Sequence, residues 1–311
     1  MSRDTIVPAE GHGHGHHGLH QDDWAAVGAR LEAEAEMSFA CLEAGAGWLA
    51  ELAGGRPVRR VLDVGSGPGV TSCVLAAAFP DAEIQAVDGS ASLLERVSAR
   101  AARLGLGDRL TVVQRELPAG LDELAPADLV WASRVVHHLG DQAEAVRRIA
   151  ALLRPGGVLA IAEGGLPLRS LPRDIGIGRP GLEARLDVAL QDWFTDMRAT
   201  QPGTVSTVEH WPGLLAGAGL VPAGSRSFLV DHPAPLDAGT RTVVTDWWAA
   251  VRERVGDRIC AQDRATVERL LDPQDADGLH RRPDLFVLMV STVHAGRAAT
   301  GKGSAASGDR K

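Results

Sequence analysis

Three glycines in five residues, Gly65, Gly67 and Gly69, follow a short apolar run, Val61-Leu62-Asp63-Val64. They precede a segment in which Val74, Leu75 and Ala78 recur at helical spacing. A strand that breaks into glycines and re-enters a helix makes a tight turn, and the backbone N–H groups at the helix start can face a bound ligand. A Cβ at the crest would block a close approach. Taken alone, such a loop also reads as a plain structural turn. Other polar residues stand where later apolar runs end. Asp88 closes the second run, where a carboxylate can accept both hydroxyls of a ribose or cap the next helix, a task open to Ser90 as well. Glu116 and Leu117 follow the third. The acid can accept an adenine amino group while the leucine packs beside the ring, or it can be a solvated surface acid. After the fourth come Ser133 and the pair His137-His138, and Glu163 ends the fifth. The two histidines are candidates for general-base work. Glu163 is a candidate base or an orienting group for a substrate N–H. His210, near the start of a later helix, is a further candidate, with a capping or surface role as its alternative.

These residues need a scaffold, and the pattern predicts one. Residues 23–52 read as one long amphipathic helix, with Trp24, Val27, Leu31, Ala35, Phe39 and Leu42 recurring every three or four residues and a break expected near Gly45 and Gly47. Strands are expected at 59–64, 83–87, 109–113, 127–132 and 157–163. Helices are expected at 70–79, 91–104 and 141–153. Strands separated by helices of this length imply a parallel sheet with helices on both faces. From 165 the rhythm fails, and 165–181 reads as irregular. Helices at 182–198, 208–219, 237–256 and 262–271 and strands at 224–231 and 285–293 complete the chain. Residues 1–21 hold Gly-His-Gly-His-Gly-His-His-Gly and are expected to be disordered, as is the Gly/Ala/Ser-rich tail at 296–311. Glycine-spaced histidines have no preformed geometry, so no metal site is assigned.

Composition narrows the function. The formal net charge is −8, from 32 basic and 40 acidic residues, and lysine occurs only at 302 and 311, so no basic stripe suits a nucleic acid. No apolar segment reaches membrane-spanning length. Cys41, Cys73 and Cys260 share no metal or redox spacing and fit a reduced cytosol, so a cytoplasmic protein is expected. The chain has no tyrosine, which removes one common general base.

The segment from Asp63 to Gly69, Asp88, Glu116, Asp128 to Leu139 with its His-His-Leu, and Leu-Leu-Arg-Pro-Gly-Gly at 152–157 resemble successive motifs of class I S-adenosylmethionine (SAM) dependent methyltransferases. Residues 211–220, ending Ala-Gly-Leu, resemble the segment before that family's sixth strand. Arg115, where many members have glycine, and Glu116, where aspartate is commoner, depart from the pattern. The resemblance implies a Rossmann-like α/β fold, a seven-stranded sheet in the order 3-2-1-4-5-7-6 with an antiparallel last strand. It implies SAM bound by Gly65, Gly67, Gly69, Asp88, Glu116 and Leu117, with Ser133 near the methionine part and Asp63 helping to hold its amino end. The methyltransferase domain would span 57–295, with a helical cap from 22–56 and cap insertions at 165–207 and 234–284. These caps offer Trp24, Phe39, Trp193, Phe194 and Met197 as walls of an acceptor pocket, or as plain core. His210 lies beside them. The expected acceptor is a small hydrophobic or aromatic metabolite, with an indole alkaloid of secondary metabolism as one option, methylated at O, N or carbon. Trp247 and Trp248 read as packing or as a homodimer contact. A non-catalytic SAM-binding subunit and an NAD-type oxidoreductase are the competing readings. The second is disfavoured because Val70, and not glycine, stands where G-x-G-x-x-G spacing would place one.

Overall fold

The computed structural model describes residues 21–300, with side chains from residue 27 onward. The Gly-His segment and the side chain of Trp24 lie outside the described residues. Seven strands, β1 (Arg60–Val64), β2 (Glu83–Asp88), β3 (Leu110–Gln114), β4 (Ala127–Ser133), β5 (Leu153–Arg169), β6 (Val221–His232) and β7 (Val287–Arg297), form one sheet. Its order is β3-β2-β1-β4-β5-β7-β6. The first five strands pair in parallel, and β7 runs antiparallel to both β5 and β6.

The helices are α1 (Gln21–Met37), α2 (Phe39–Ala53), α3 (Val70–Ala78), α4 (Ala91–Arg103), α5 (Gln142–Ala151), α6 (Leu182–Ala199), α7 (Trp211–Gly217), α8 (Ala238–Val255) and α9 (Ala261–Leu271). Side-chain caps set several starts. Ser90 accepts from the Leu93 amide, Asp141 from that of Glu144 at 2.9 Å, and Asp237 from that of Thr240 at 3.0 Å. Amphipathic spacing then decides which face is buried. In α4 these are Leu93, Leu94, Val97 and Ala101.

Two apolar layers sandwich the sheet. Val61, Ile84 and Leu129 face the layer shared with α2, α3 and α4, which continues into α6, α8 and α9. Leu62, Val64, Val130 and Leu159 face the layer under α5 and α7. The cap is fastened by buried polar groups. Glu183 of α6 accepts the Ser170 amide at 2.8 Å and its hydroxyl at 3.0 Å, and that hydroxyl accepts from Trp248 Nε1 at 2.8 Å. Asp263 of α9 accepts from Arg179 and Arg185, both at 2.7 Å, and those guanidiniums hold its carboxyl well below the usual carboxylate range.

Several expected boundaries move. The N-terminal helix breaks at Ser38, between α1 and α2, and not at Gly45 or Gly47. Gly45 instead lies inside α2, where a Cβ would touch Trp131, Phe228 and Val293. Strand β5 continues through the segment expected to be irregular, because β7 supplies partners as far as Leu288 for Arg169. The first cap insertion therefore begins after 169. Strand β7 runs to Arg297, so residues 296 and 297 belong to the sheet and not to the tail. Trp248 is fully buried, which assigns it to the core and removes it as a dimer contact. Among the described residues, no helix is long and apolar enough to cross a membrane.

Candidate active site

The glycine loop joins β1 to α3 at the carboxyl end of the sheet. Gly65, Gly67 and Gly69 all have left-handed φ, at 69°, 53° and 82°. At Gly65 the need for glycine is double, because a Cβ there would fall 2.5 Å from Val135 Cγ2. Gly67 is different. No atom lies within 4 Å of where its Cβ would stand, so the crest of the loop faces open space. Beside it, the Ser66 hydroxyl is buried and has no hydrogen-bond partner among the described residues. An orphaned buried hydroxyl next to an open glycine crest suits a polar ligand laid on the loop.

Asp88, at the end of β2, faces this crest. Its Oδ2 accepts the Gly67 amide and its Oδ1 the Ser90 amide, both at 2.9 Å. Ser90 provides the cap of α4, so Asp88 is not needed for it. Burial pushes the Asp88 carboxyl up, against the pull of its amide bonds, and the neighbouring Glu116 adds to the rise. Glu116 is exposed and reaches Gly89, with its Oε2 3.4 Å from a Cβ placed there. Leu117 packs against the core beneath. Two acids beside an apolar ledge fit the ribose and adenine of SAM. Asp63 lies under the loop and not at its open crest. It is 2% exposed, and its Oδ2 accepts from Ser72 Oγ of α3 at 2.5 Å, so it braces the loop from below. Burial pushes its carboxyl up to about 7.

A second group of candidate residues is built on the turn after β4. Ser133 ends that strand, half-buried and paired with Ala162. Arg134 follows in a left-handed conformation, φ 52°, uncommon for a residue with a Cβ. Glu163, 4% exposed at the far part of β5, organises the rest. Its Oε1 accepts the amides of Val135 and Val136, both at 3.0 Å, and its Oε2 lies 2.7 Å from His137 Nδ1. A carboxylate is an acceptor only, so the imidazole proton is assigned to Nδ1 and Nε2 is left as the basic nitrogen. Glu163 is thus a partner of His137 and not an independent base. The His138 ring lies beside that of His137, with centroids 4.0 Å apart, and is exposed.

Of the cap residues, Phe194 reaches this turn, with its ring 5.7 Å from that of His137. Trp193 packs on the main core and lies under the Arg254 guanidinium. Met197 is buried, and its sulfur accepts from Gln201 Nε2 at 3.2 Å, so it is core and not pocket wall. Phe39 begins α2 and is 42% exposed. His210 is exposed at the start of α7 without a side-chain cap bond. Sequence reading missed Arg198. From α6 it donates to the carbonyls of His137 at 2.7 Å, Leu139 at 2.6 Å and Gly140 at 3.2 Å. Its one visible signal was a cation in the last turn of a helix, a place that ordinarily serves the helix's own carbonyls.

Comparison with known proteins finds relatives for part of the chain. Residues 62–159 match the family model described as a methyltransferase domain. A trans-aconitate 2-methyltransferase of Methylobacterium radiotolerans is 39% identical over 105 residues, 33% of this chain and 37% of that protein. A 27-O-demethylrifamycin SV methyltransferase of Amycolatopsis mediterranei is 33% identical over 115 residues, 36% of this chain and 42% of that one. The chain spans less than half the length of these curated relatives. The solved structure of an O-methyltransferase family protein from Burkholderia thailandensis aligns at a TM-score of 0.46, with 18% identity, over 91% of this chain and 60% of that one. The matched segment, about a third of the chain, carries the glycine loop, Asp88, Glu116 and the histidine turn within a sheet of the expected order, and this part of the chain is a methyltransferase domain similar to those of SAM-dependent enzymes.

Proposed function

We propose that this protein transfers the methyl group of SAM to a small molecule with an aromatic or apolar body, at a proton-bearing atom that His137 deprotonates. The observation that carries this reading is the His137 Nδ1 to Glu163 Oε2 contact of 2.7 Å, in the turn whose Val135 lies against Gly65 of the glycine loop. When bound, SAM supplies a methyl group already activated on a sulfonium. The protein's own work is to hold both partners and to manage one proton. Asp88 and Glu116 hold the donor's sugar and base, and the left-handed glycines let it approach the backbone. Glu163 fixes the His137 ring and keeps Nε2 free to take a proton from the acceptor as the new bond forms. Arg198 holds the carbonyls on either side of His138, so the histidine turn keeps its place. Positioning of this kind can supply roughly 7–11 kcal/mol of a barrier, and a placed general base about 10²–10⁴ in rate. A base is useful only where the acceptor atom carries a proton, which favours a hydroxyl or amine.

The Arg-rich, Lys-poor composition suits a GC-rich genome, and one matched relative is named for a rifamycin. Both are compatible with a tailoring role in secondary metabolism. The test is SAM turnover to S-adenosylhomocysteine, with a fractionated metabolite library as acceptor and mass spectrometry of the product. Wild type should turn over with at least one fraction, and His137→Ala should lose about 10²-fold or more in rate. No turnover above the uncatalysed background with any fraction would favour a SAM-binding regulatory role.

A further inference from the structure

We propose that Arg254, with Arg30 and Arg134, binds an oxyanion group of the acceptor, a carboxylate or a phosphoester, on the cap side of the His137–Glu163 pair. This rests on the methyl-transfer reading and narrows its acceptor class.

Arg254 belongs to α8, and its guanidinium carbon stands 5.1 Å from the centroid of the Trp193 ring of α6. Among the described residues, no carboxylate comes within ion-pair distance of it. Burial lowers its hold on its proton, and the charge of Arg30 on α1 lowers it further, opposed by Glu34 and Glu253. Arg30 is itself incompletely satisfied. Its Nε is buried without a hydrogen-bond partner, and its ion pair is with Glu34 at 3.6 Å. Arg134 reaches the same Glu34, at 4.0 Å, from the end of β4. Two guanidiniums therefore share one poorly seated carboxylate, and Arg254 has none among the described residues.

Structure alone gives little reason for this. A partly buried cation without an ion partner is unfavourable, and packing over the Trp193 ring is available to an uncharged side chain as well. Arg134 adds a second cost, since its left-handed backbone opposes any residue with a Cβ by of order 1–3 kcal/mol. The cluster is tied to the histidine turn at two points. Trp193 is followed by Phe194, whose ring is 5.7 Å from His137. Arg134 directly precedes Val135, whose amide is held by Glu163. The surroundings thus run from Arg254 and Trp193, through Phe194 and His137, to Arg134, Glu34 and Arg30. The protein as a whole carries a net charge of −8, so this cationic cluster is a local feature and not a general attraction for anions. Planar guanidinium forks match carboxylate and phosphate oxygens, and the two aromatic rings suit a flat apolar body attached to them.

The test uses the full chain saturated with S-adenosylhomocysteine. Calorimetry measures binding of a panel of hydroxyaryl and indole carboxylates, each beside its neutral primary amide, and of the matching aryl phosphates. The expected result is that at least one acid or phosphate binds about tenfold or more tighter than its neutral partner, and that Arg254→Gln reduces the preference to about twofold or less. The carboxylate and phosphate arms decide between the two oxyanions. Arg254→Lys should keep part of the preference. Arg134→Gln, at an exposed side chain, repeats the test if Arg254→Gln does not fold. The proposal is overturned if no member of the panel binds, if amides bind as well as acids, or if the preference survives in the glutamine variants. Affinity for S-adenosylhomocysteine is read in parallel. Its retention shows that a variant is folded, and its absence in wild type would instead sink the underlying methyltransferase reading.

Discussion

Gly65 and Val135 meet where the donor loop touches the histidine turn, with the position of a Gly65 Cβ only 2.5 Å from Val135 Cγ2. The Val135 amide is in turn held by Glu163 Oε1 at 3.0 Å. One contact therefore fixes the spacing between the glycine loop and the histidine turn. Gly65→Ala should lower stability by about 2–4 kcal/mol, from the left-handed φ and the overpacking together. It should also weaken SAM binding about tenfold or more, by moving the loop. Urea unfolding and calorimetry measure both. An alanine variant with wild-type midpoint and affinity would show that the contact is not limiting.

Glu163 has both structural and chemical tasks, and two substitutions separate them. Glu163→Ala leaves the Val135 and Val136 amides without acceptors, at about 1–3 kcal/mol each, and should destabilise the fold measurably. Glu163→Gln retains one oxygen for the amides but replaces the acceptor facing His137 Nδ1 with a donor. It should keep most of the stability and all of the affinity for S-adenosylhomocysteine while lowering kcat by about 10²-fold or more. Equal kcat in Glu163→Gln and wild type would remove the base assignment.

Arg198 spans three carbonyls, at 2.6–3.2 Å, from a helix of the cap. Arg198→Met should cost roughly 2 kcal/mol, and hydrogen exchange at the His138 and Leu139 amides should quicken. Arg198→Lys should recover only part of this, because one ammonium cannot bridge all three oxygens as a planar fork does. Exchange unchanged in Arg198→Met would mean that Glu163 alone holds the turn.

Asp63 makes stability depend on pH. Its carboxyl is pushed up to about 7 in the folded protein, well above its usual value, because burial disfavours the charge. The folded state thus binds the proton more tightly than the unfolded one. Stability from this group is full at acid pH and is lost as pH rises from about 4 to about 7, by up to a few kcal/mol. Asp63→Asn preserves the shape and the bond from Ser72 without that titration. Its stability relative to wild type should therefore improve between pH 5 and pH 8, as read by urea unfolding. A difference that does not change with pH would refute the assignment.

Local chemistry made much of this protein legible in one dimension. Strand and helix alternation follows from apolar periodicity, and periodicity is a property of neighbours a few residues apart. The glycine loop, Asp88 and the capping by Ser90 and Asp141 were visible for the same reason, since each satisfies backbone groups within a few residues of itself. The sheet order came from resemblance, and the tertiary structure reproduces it strand for strand.

Longer-range relationships left no such trace. Asp63 stands beside the loop in sequence, but only its contact with Ser72 shows that it braces the loop from inside. Met197 and Phe194 share one helix at nearby positions, yet packing sends one to the core and brings the other to the histidines. Glu163 is separated from His137 by 26 residues, Arg198 from His137 by 61, and Arg254 meets Trp193 only across two helices of the cap. Side-chain type and spacing determined where the methyl donor would lie, because that site is built from backbone at strand ends. Which acid seats the His137 ring, which arginine holds that turn and which has no ion partner among the described residues were decided by tertiary structure, because distance between charges and donors, not their order in the chain, sets those energies.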